Sequence, residues 1–435
     1  MVDKKCFAAL KRGVEYWNKW RLNHPYRSLD LRGINLSHEN LLGINFTGVN
    51  LAGANLVKSN FCGANFDGAD LTGANLTEAN LCGASLNGVN LTGAILIRAN
   101  YRSVELVGAN LSLANLAYAN LRVVDFSAAE LSGANFNQAI LNSANFVGAN
   151  LTKANFQLVQ LDSANFVGAN LTKANFNQAN LTKAQLNHAN LSEATLIKAN
   201  LEQASLIQAD LAEANLSEAN LKQANLSKSD LVETCLAKAN LSEANLTQAD
   251  LSQADLGQSD LTEANLSQAN LVKTQAWTAN FNRSRLTGAC LENLQINRQT
   301  SFEKVVCKYL YLEHYQKWRV PHNAHKNISL SEFKSTIQGL IGVVEVKVNT
   351  AIDWMIFARV IDKLKHKYKS QKIEIKSVEI KLDYQFVVKI KVQPGFEIEA
   401  ITQYLQQEYD LLVLAKNKLP SQQKVDEPLN YYEQN

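Results

Sequence analysis

The chain has 435 residues, room for two or three domains, and 43 Lys and Arg offset 40 Asp and Glu. No run of 18 apolar residues occurs, which excludes an ordinary transmembrane helix, and the start, MVDKKCFAALKRGVEYW, lacks the apolar core and cleavage pattern of a secretory leader. Six scattered cysteines form no CxxC framework, so a reducing, cytoplasmic setting is expected.

Residues 1–29 carry seven basic and two acidic side chains. Within them, residues 3–21 predict one amphipathic helix, with Phe7, Leu10, Val14 and Trp17 at three- and four-residue steps and Trp20 beyond. Asn23, Pro25 and Ser28 break it. The expected role of residues 1–28 is an N-terminal helical cap; a basic membrane-surface helix is the alternative.

From Leu31 the sequence steps by five. Leu31, Leu36, Leu41, Phe46 and Leu51 begin a series of 54 uninterrupted units ending at Ile296, and only Tyr101, Ala276 and Ile296 are neither Leu nor Phe. Two residues before the centre, Ala occupies 38 of 53 positions, and Glu39 is the only charge there. The residue just before the centre is mostly Asn or Asp, and the two after it are mostly small or polar. A helix cannot use this period, because five residues advance about 500° and the Leu side chains would spiral over every side. A continuous strand fails too, since an odd period sends successive Leu to opposite faces. A three-residue extended piece followed by a two-residue turn satisfies it, with Ala and Leu inward and the rest outward.

The stretch SANFVGANLTKANF occurs at 143–156 and again, unchanged, at 163–176. If each unit turns the chain by about a right angle, four units close a coil of 20 residues, and this copy is one whole coil. Position n then lies beneath n+20. Phe126, Phe146 and Phe166 fall on one face and Phe136, Phe156 and Phe176 on the opposite one. About 13 coils make a rod of roughly 65 Å at a rise of about 4.8 Å. Cys62 and Cys82, 20 apart, should stack.

These units resemble the pentapeptide repeat family, whose motif is A(D/N)LXX, over 29–298. The resemblance implies an all-β fold, a right-handed quadrilateral parallel β-helix. Some members mimic DNA and bind DNA gyrase, while most have no known activity. Residues 299–420 are expected to form a separate C-terminal α+β domain, with 421–435 a polar tail. Helices are predicted for Ser331–Ile341, with Ser329 a possible N-cap, and for Ala351–Tyr368, with Ile352, Met355, Ile356, Val360 and Leu364 on its apolar side. KIEIKSVEIKL and QFVVKIKV predict paired strands around Asp383 and Tyr384. Pro394 and Gly395 lead to a last helix at about Glu397–Leu414. The order of array and domain looks like some cyanobacterial pentapeptide proteins.

No phosphate-binding loop, HExxH, GxSxG or spaced carboxylate pair is present, so neither catalytic, cofactor-binding nor metal residues are assigned, and no cofactor is expected. His314, His322 and His325 lack a Cys or carboxylate partner at ligand spacing and are read as a solvated linker. Two surface clusters remain. Arg98 beneath Tyr118, with Arg102 beneath Arg122 and with Ile95, Val107, Leu113 and Val123 nearby, has the composition of a partner site. Glu193, Glu213 and Glu233, with Asp210, Asp230 and Asp250, form an acidic strip that is expected to meet a basic surface, either of a partner protein or of the chain's own basic C-terminal domain. The expected function is a non-catalytic protein-binding or assembly scaffold with an unknown protein partner, no direct nucleic-acid binding and no membrane span. The rival is a DNA mimic acting on a type II topoisomerase such as gyrase; an enzymatic C-terminal domain is the third reading. Residues 30–300 carry 16 basic and 22 acidic side chains, a modest excess for a mimic.

Overall fold

The structure, a computed structural model, describes residues 4–24, 29–313, 317–341, 343–348, 353–367, 373–380, 386–391 and 398–417. The chain divides into two compact units, Met1–Asn327 and Ile328–Asn435.

The first unit is a parallel β-helix with 20 residues per coil. Two short strands, β1 (Leu29–Asp30) and β2 (Val49–Asn50), pair in parallel with Leu29 opposite Val49. The same offset then recurs every five residues, from Asn35 opposite Asn55 to Gln275 opposite Gln295. The register does not stop at Ile296. A one-residue insertion lengthens the offset to 21, and Ser301, Val306 and Tyr311 bridge Asn280, Arg285 and Cys290. Phe302 stacks on Phe281 at 4.8 Å with that same offset. The boundary expected at 298/299 is therefore corrected: the coil runs on, because Phe302 and Leu312 still supply apolar centres at the shifted spacing. It ends in an antiparallel pair, β3 (Leu310–Tyr311) and β4 (Arg319–Val320).

The repeating five-residue unit meets its backbone N–H groups in a recurrent pattern. In the unit Asn165–Ala169, Asn165 N donates to Ala144 O of the preceding coil at 2.9 Å, while Phe166 N and Gly168 N donate to Gln185 O at 2.7 Å and Asn187 O at 3.1 Å of the next. Ala169 N closes the turn onto Phe166 O at 3.0 Å. One donor remains, Val167 N, and it bonds Asn165 Oδ1 at 3.1 Å. The Asn or Asp before the centre is thus a turn-closing acceptor. Asn Nδ2 often adds a bond along the rod, as from Asn155 to Asn135 Oδ1 at 3.1 Å.

The centre side chains are fully buried, and the Ala positions sit beside them with at most a few per cent exposed. Phe146 and Phe166 stack at 4.7 Å with an interplanar angle of 1°, which measures the coil spacing. The two phenylalanine columns meet across the core edge to face, Phe146 on Phe156 at 5.9 Å. Such pairs contribute about 0.5–1.5 kcal/mol beyond area burial. Hydroxyls at the Ala position, that of Ser284 excepted, return a bond to the backbone, as Thr234 Oγ1 does to Leu211 O at 2.9 Å. Glu39, at that position in the second unit, is exposed.

The second turn residue of all 53 turns from Gly33 to Asn293 has a positive φ, near +60°. Glycine suits this region, yet 38 of the 53 are other residues. The β-branched Val123, at φ 58°, is the least suited of these types.

The single N-terminal helix expected over 3–21 is two: α1 (Lys4–Leu10) and α2 (Val14–Leu22). Gly13, at φ 93°, interrupts the helical run. Phe7, expected on the apolar side, is exposed, while Cys6, Ala9, Leu10 and Trp17 are buried. Trp17 packs edge to face on Phe46 at 5.6 Å and donates Nε1 to Asn45 O at 2.7 Å. Arg21 Nη2 reaches Thr47 O at 2.5 Å.

In the second unit, α3 (Leu330–Ile341) starts from a capping box: Ser329 Oγ accepts Glu332 N, and Ser329 N donates to Glu332 Oε2 at 2.7 Å. A three-stranded antiparallel sheet follows in the order β5 (Val343–Val348), β7 (Phe386–Lys391), β6 (Glu374–Ile380). Val346, Val388 and Ile390 share a core with Ile356, Phe357, Val360, Ile361 and Leu364 of α4 (Trp354–Lys367) and Ile401, Leu405 and Tyr409 of α5 (Ile398–Asn417). Met355 is exposed, and Phe357 takes the inward place. Asp353, whose Oδ1 caps the N–H groups of Met355 and Ile356, fixes that start. Ser28, Pro25, His314, Ile352, Asp383, Tyr384, Pro394, Gly395 and the tail after Pro420 lie outside the described residues.

Leu161→Lys places an unpaired charge where exposure is zero, and a loss of more than about 3 kcal/mol is expected in a denaturation titration. Asn165→Lys removes only the acceptor of Val167 N, with a loss of about 1 kcal/mol. Equal losses would reject the inward and outward assignment. Val123→Gly relieves a strained turn and should raise stability by about 0.5–1 kcal/mol; a lower melting temperature would contradict this.

Candidate functional site

The coil register decides which side chains meet. Gly83 N bonds Arg102 O and Ser103 N bonds Arg122 O, both at 3.1 Å, so Cys82, Arg102 and Arg122 occupy one turn position on three successive coils. Cys62 lies one coil lower, since Gly63 N bonds Cys82 O at 3.0 Å; both thiols are free, as expected. Arg98 and Tyr118 occupy the preceding corner. Arg98 Cζ lies 5.5 Å from the Tyr118 ring centroid, and Gln138 Nε2 holds the Tyr118 hydroxyl at 3.2 Å.

The two pairs do not touch as one cluster. They flank a single flat face whose outward column is Asn80, Asn100, Asn120, Ile140 and Gln160. Asn100 Nδ2 donates to Asn80 Oδ1 at 2.9 Å and Asn120 Nδ2 to Asn100 Oδ1 at 3.2 Å. Ile140 ends this ladder, so Asn120 Oδ1 is left buried and without a partner among the described residues. Asn142 Oδ1, directly above Arg122, and the Tyr101 hydroxyl, directly behind the face, are orphaned in the same way. Burial pushes the Tyr101 hydroxyl well above the usual phenol range. Two of the five such orphans among the described residues, Asn120 Oδ1 and Asn142 Oδ1, therefore lie at this one face, and a third belongs to the core side chain that the same face sends inward.

Exposed apolar side chains adjoin it. Val123 stands on the Arg122 corner, and Ile95 and Leu113, the latter 70% exposed, lie on the neighbouring side beyond Arg98. Leu113 covers Gly133, where a Cβ would meet Leu113 Cδ2 at 2.8 Å. Val107 stands on the corner after Arg102, five positions on in the coil, with Val147 two coils above it.

The face carries stacked cations, Arg102 one coil below Arg122. Several other turn cations pair across coils, Lys58 with Glu78 at 3.5 Å, Lys173 with Glu193 at 3.2 Å, Lys198 with Glu218 at 3.5 Å and Arg283 with Glu263 at 2.9 Å, while among the described residues Lys153, Lys183, Lys228, Lys238 and Lys273 do not. Arg98, Arg102 and Arg122 have no ion-pair partner among the described residues. Two like charges stacked on neighbouring coils are unfavourable in themselves.

The acidic residues also stack as expected, Asp210 bridging Asp230 and Asp230 bridging Asp250. Each of these aspartates closes its own turn, accepting Ala212 N, Val232 N or Ser252 N at 3.0, 3.0 and 2.9 Å. Glu193 is paired by Lys173 from one coil below, and Glu233 accepts Gln253 Nε2 at 3.1 Å. Glu213 has no side-chain partner among the described residues. No group of three or more His, Cys, Asp or Glu is placed to hold a metal ion among them, and no described helix is long and apolar enough to cross a membrane.

A family model described as pentapeptide repeats matches in eight copies, including 30–68, 64–100, 119–157, 129–166, 224–262, 239–275 and 259–293, and a second, described as pentapeptide repeat region, matches 154–234. The chain belongs to the pentapeptide repeat family. Among solved structures, one match is HetL, a pentapeptide repeat protein involved in heterocyst differentiation regulation from the cyanobacterium Nostoc sp., at 27% identity over 58% of this chain and 95% of that one, with a TM-score of 0.19. Full-length QnrB1, a plasmid-mediated fluoroquinolone resistance protein, matches at 21% identity over 53% and 95%, with a TM-score of 0.18. A pentapeptide repeat protein of the Arabidopsis thaliana thylakoid lumen matches at 31% identity over 23% and 66%, with a TM-score of 0.18. No curated protein matches the chain.

Removing the orphaned hydroxyl with Tyr101→Phe should stabilise the rod by about 1 kcal/mol in a denaturation titration. A loss of stability would mean that the hydroxyl has a partner.

Proposed function

We propose that this chain is a non-catalytic protein-binding or assembly scaffold. Its rod is a right-handed quadrilateral β-helix with α1 and α2 as N-terminal cap, and it presents the face between Arg98/Tyr118 and Arg102/Arg122 to a protein partner. The observation that carries the reading is the gathering of three guanidinium groups, the exposed Tyr118 ring and two orphaned amide oxygens, Asn120 Oδ1 and Asn142 Oδ1, at one face of the rod. Rule-breaking local chemistry of this kind is expected at functional sites. The second unit acts as an interaction domain, and the setting is cytoplasmic.

The rival DNA mimic needs a broad anionic surface. Here Lys173 and Lys198 answer Glu193 and Glu218, and the aspartates are engaged in turns. That favours the scaffold.

The test is affinity capture from the native host, with wild type compared with Tyr118→Ala/Arg122→Ala. The variant should melt like wild type and lose its partner by at least tenfold. Undiminished capture would return the face to ordinary surface. Inhibition of gyrase supercoiling by the wild type, lost on changing Glu213, Asp230 and Glu233 to Gln, Asn and Gln, would establish the mimic instead.

A further inference from the structure

We infer that the occupant of the arginine face is the acidic face of a second copy of this chain; this rests on the reading of the arginine face as a contact surface. Both halves of the pairing are in the rod. Residues 98–103 and 118–123 present Arg98, Arg102 and Arg122 and contain no Asp or Glu. The equivalent windows 188–193, 208–213, 228–233 and 248–253 present Glu193, Asp210, Glu213, Asp230, Glu233 and Asp250 against one cation, Lys228.

Their placement decides between internal and external pairing. Positions ten apart in the coil lie across the core from one another, as the edge-to-face contacts of Phe136 and Phe146 demonstrate. The arginine face is the side of Asn100 and Asn120, and the acidic face is the side of Asp210 and Asp230, ten positions on. The two faces therefore point in opposite directions. They are also separated along the axis by about five coils, roughly 25 Å at the 4.7 Å spacing. A β-helix tied by inter-coil bonds at every unit cannot bend one face onto the other, so the charges can meet only between molecules.

The contact would bring oppositely charged flat faces together with Tyr118, Val123 and Ile140 on one side and Val232 on the other. Carboxylates 4.7 Å apart along the axis meet guanidinium groups at that same repeat, because both sit on the same lattice of coils. A nucleic acid fits less well, since its phosphates would offer nothing to Val123 and Ile140. The contact joins two different surfaces, so it does not close on itself, and each added copy exposes a fresh face of each kind. The contact rests on exposed charges, so the assembly is concentration-dependent and dissolved by salt.

Sedimentation velocity of the full chain tests this at low and high salt across micromolar concentrations. Wild type should grow past the dimer at low salt and return to monomer at high salt. Arg102→Glu/Arg122→Glu and Glu213→Lys/Glu233→Lys should each be folded and monomeric, since each then opposes like charges. Glu and Lys already occupy equivalent turn positions at Glu202 and Lys173, so the substitutions suit the backbone. An equal mixture of the two variants should associate again, because each supplies the charge the other lacks. Monomeric wild type at low salt, an associating single variant or a monomeric mixture would overturn the inference. If wild type stays monomeric while Tyr118→Ala/Arg122→Ala still loses its captured partner, the contact surface stands with a different protein on it and only this inference falls.

Discussion

The rod depends on one leftover hydrogen-bond donor. Stacking coils in parallel employs three of the five N–H groups of each unit, and the turn employs a fourth. The fifth, on the first turn residue, faces outward with no backbone acceptor. Leaving it unmet in 53 successive turns would outweigh much of what the Leu and Phe centres contribute by burial. An Asn or Asp two residues earlier meets it locally. At some turns where that residue is lost, the acceptor comes from one coil below: Val107 N uses Asn87 Oδ1 after Glu105, and Ile207 N uses Asn187 Oδ1 after Ser205. The polar half of the repeat is thus as structural as the apolar half.

This explains what the sequence could and could not disclose. The inward Leu, Phe and Ala, the 20-residue coil and its parallel pairing follow from period alone, because no other local geometry places every fifth residue inside. The outward Asn was legible as exterior but not as a turn acceptor, since a pattern reports direction and not bonding. Gly13 reads as a tolerated residue in a short amphipathic run; only its positive φ discloses two helices. The insertion after Gln295 hides the last coil, because a five-residue register broken by one residue looks like the end of a repeat. Arg98, Tyr118, Arg102 and Arg122 could be placed by arithmetic. That two orphaned amide oxygens gather beside them could not, because it depends on side-chain geometry across neighbouring coils.

With backbone and core committed to the ladder, variation is confined to the exterior. The second turn residue is the freest in contact and the most constrained in conformation, since it must accept a left-handed φ. In the later coils Lys, Glu and Gln dominate there and join along the axis, as Gln203 to Gln223 and Gln223 to Glu243 at 2.9 and 2.7 Å. Such exposed links are individually weak, and they offset charge only where they run: among the described residues, Glu213 stays outside them.

The arginine face departs from that scheme in a way that costs stability: two stacked guanidinium groups, a buried phenol and a broken amide ladder fall within neighbouring coils. A rod with a coil bond at every unit has little capacity to rearrange around a ligand. Recognition must then be present in the unbound surface, as fixed charges and apolar groups at the 4.7 Å spacing of the coils. A partner with the same spacing matches it without adjustment, and another pentapeptide rod has that spacing by construction. Rigidity and periodicity, which the leftover donor enforces, therefore favour rod-to-rod contact over the capture of an irregular surface.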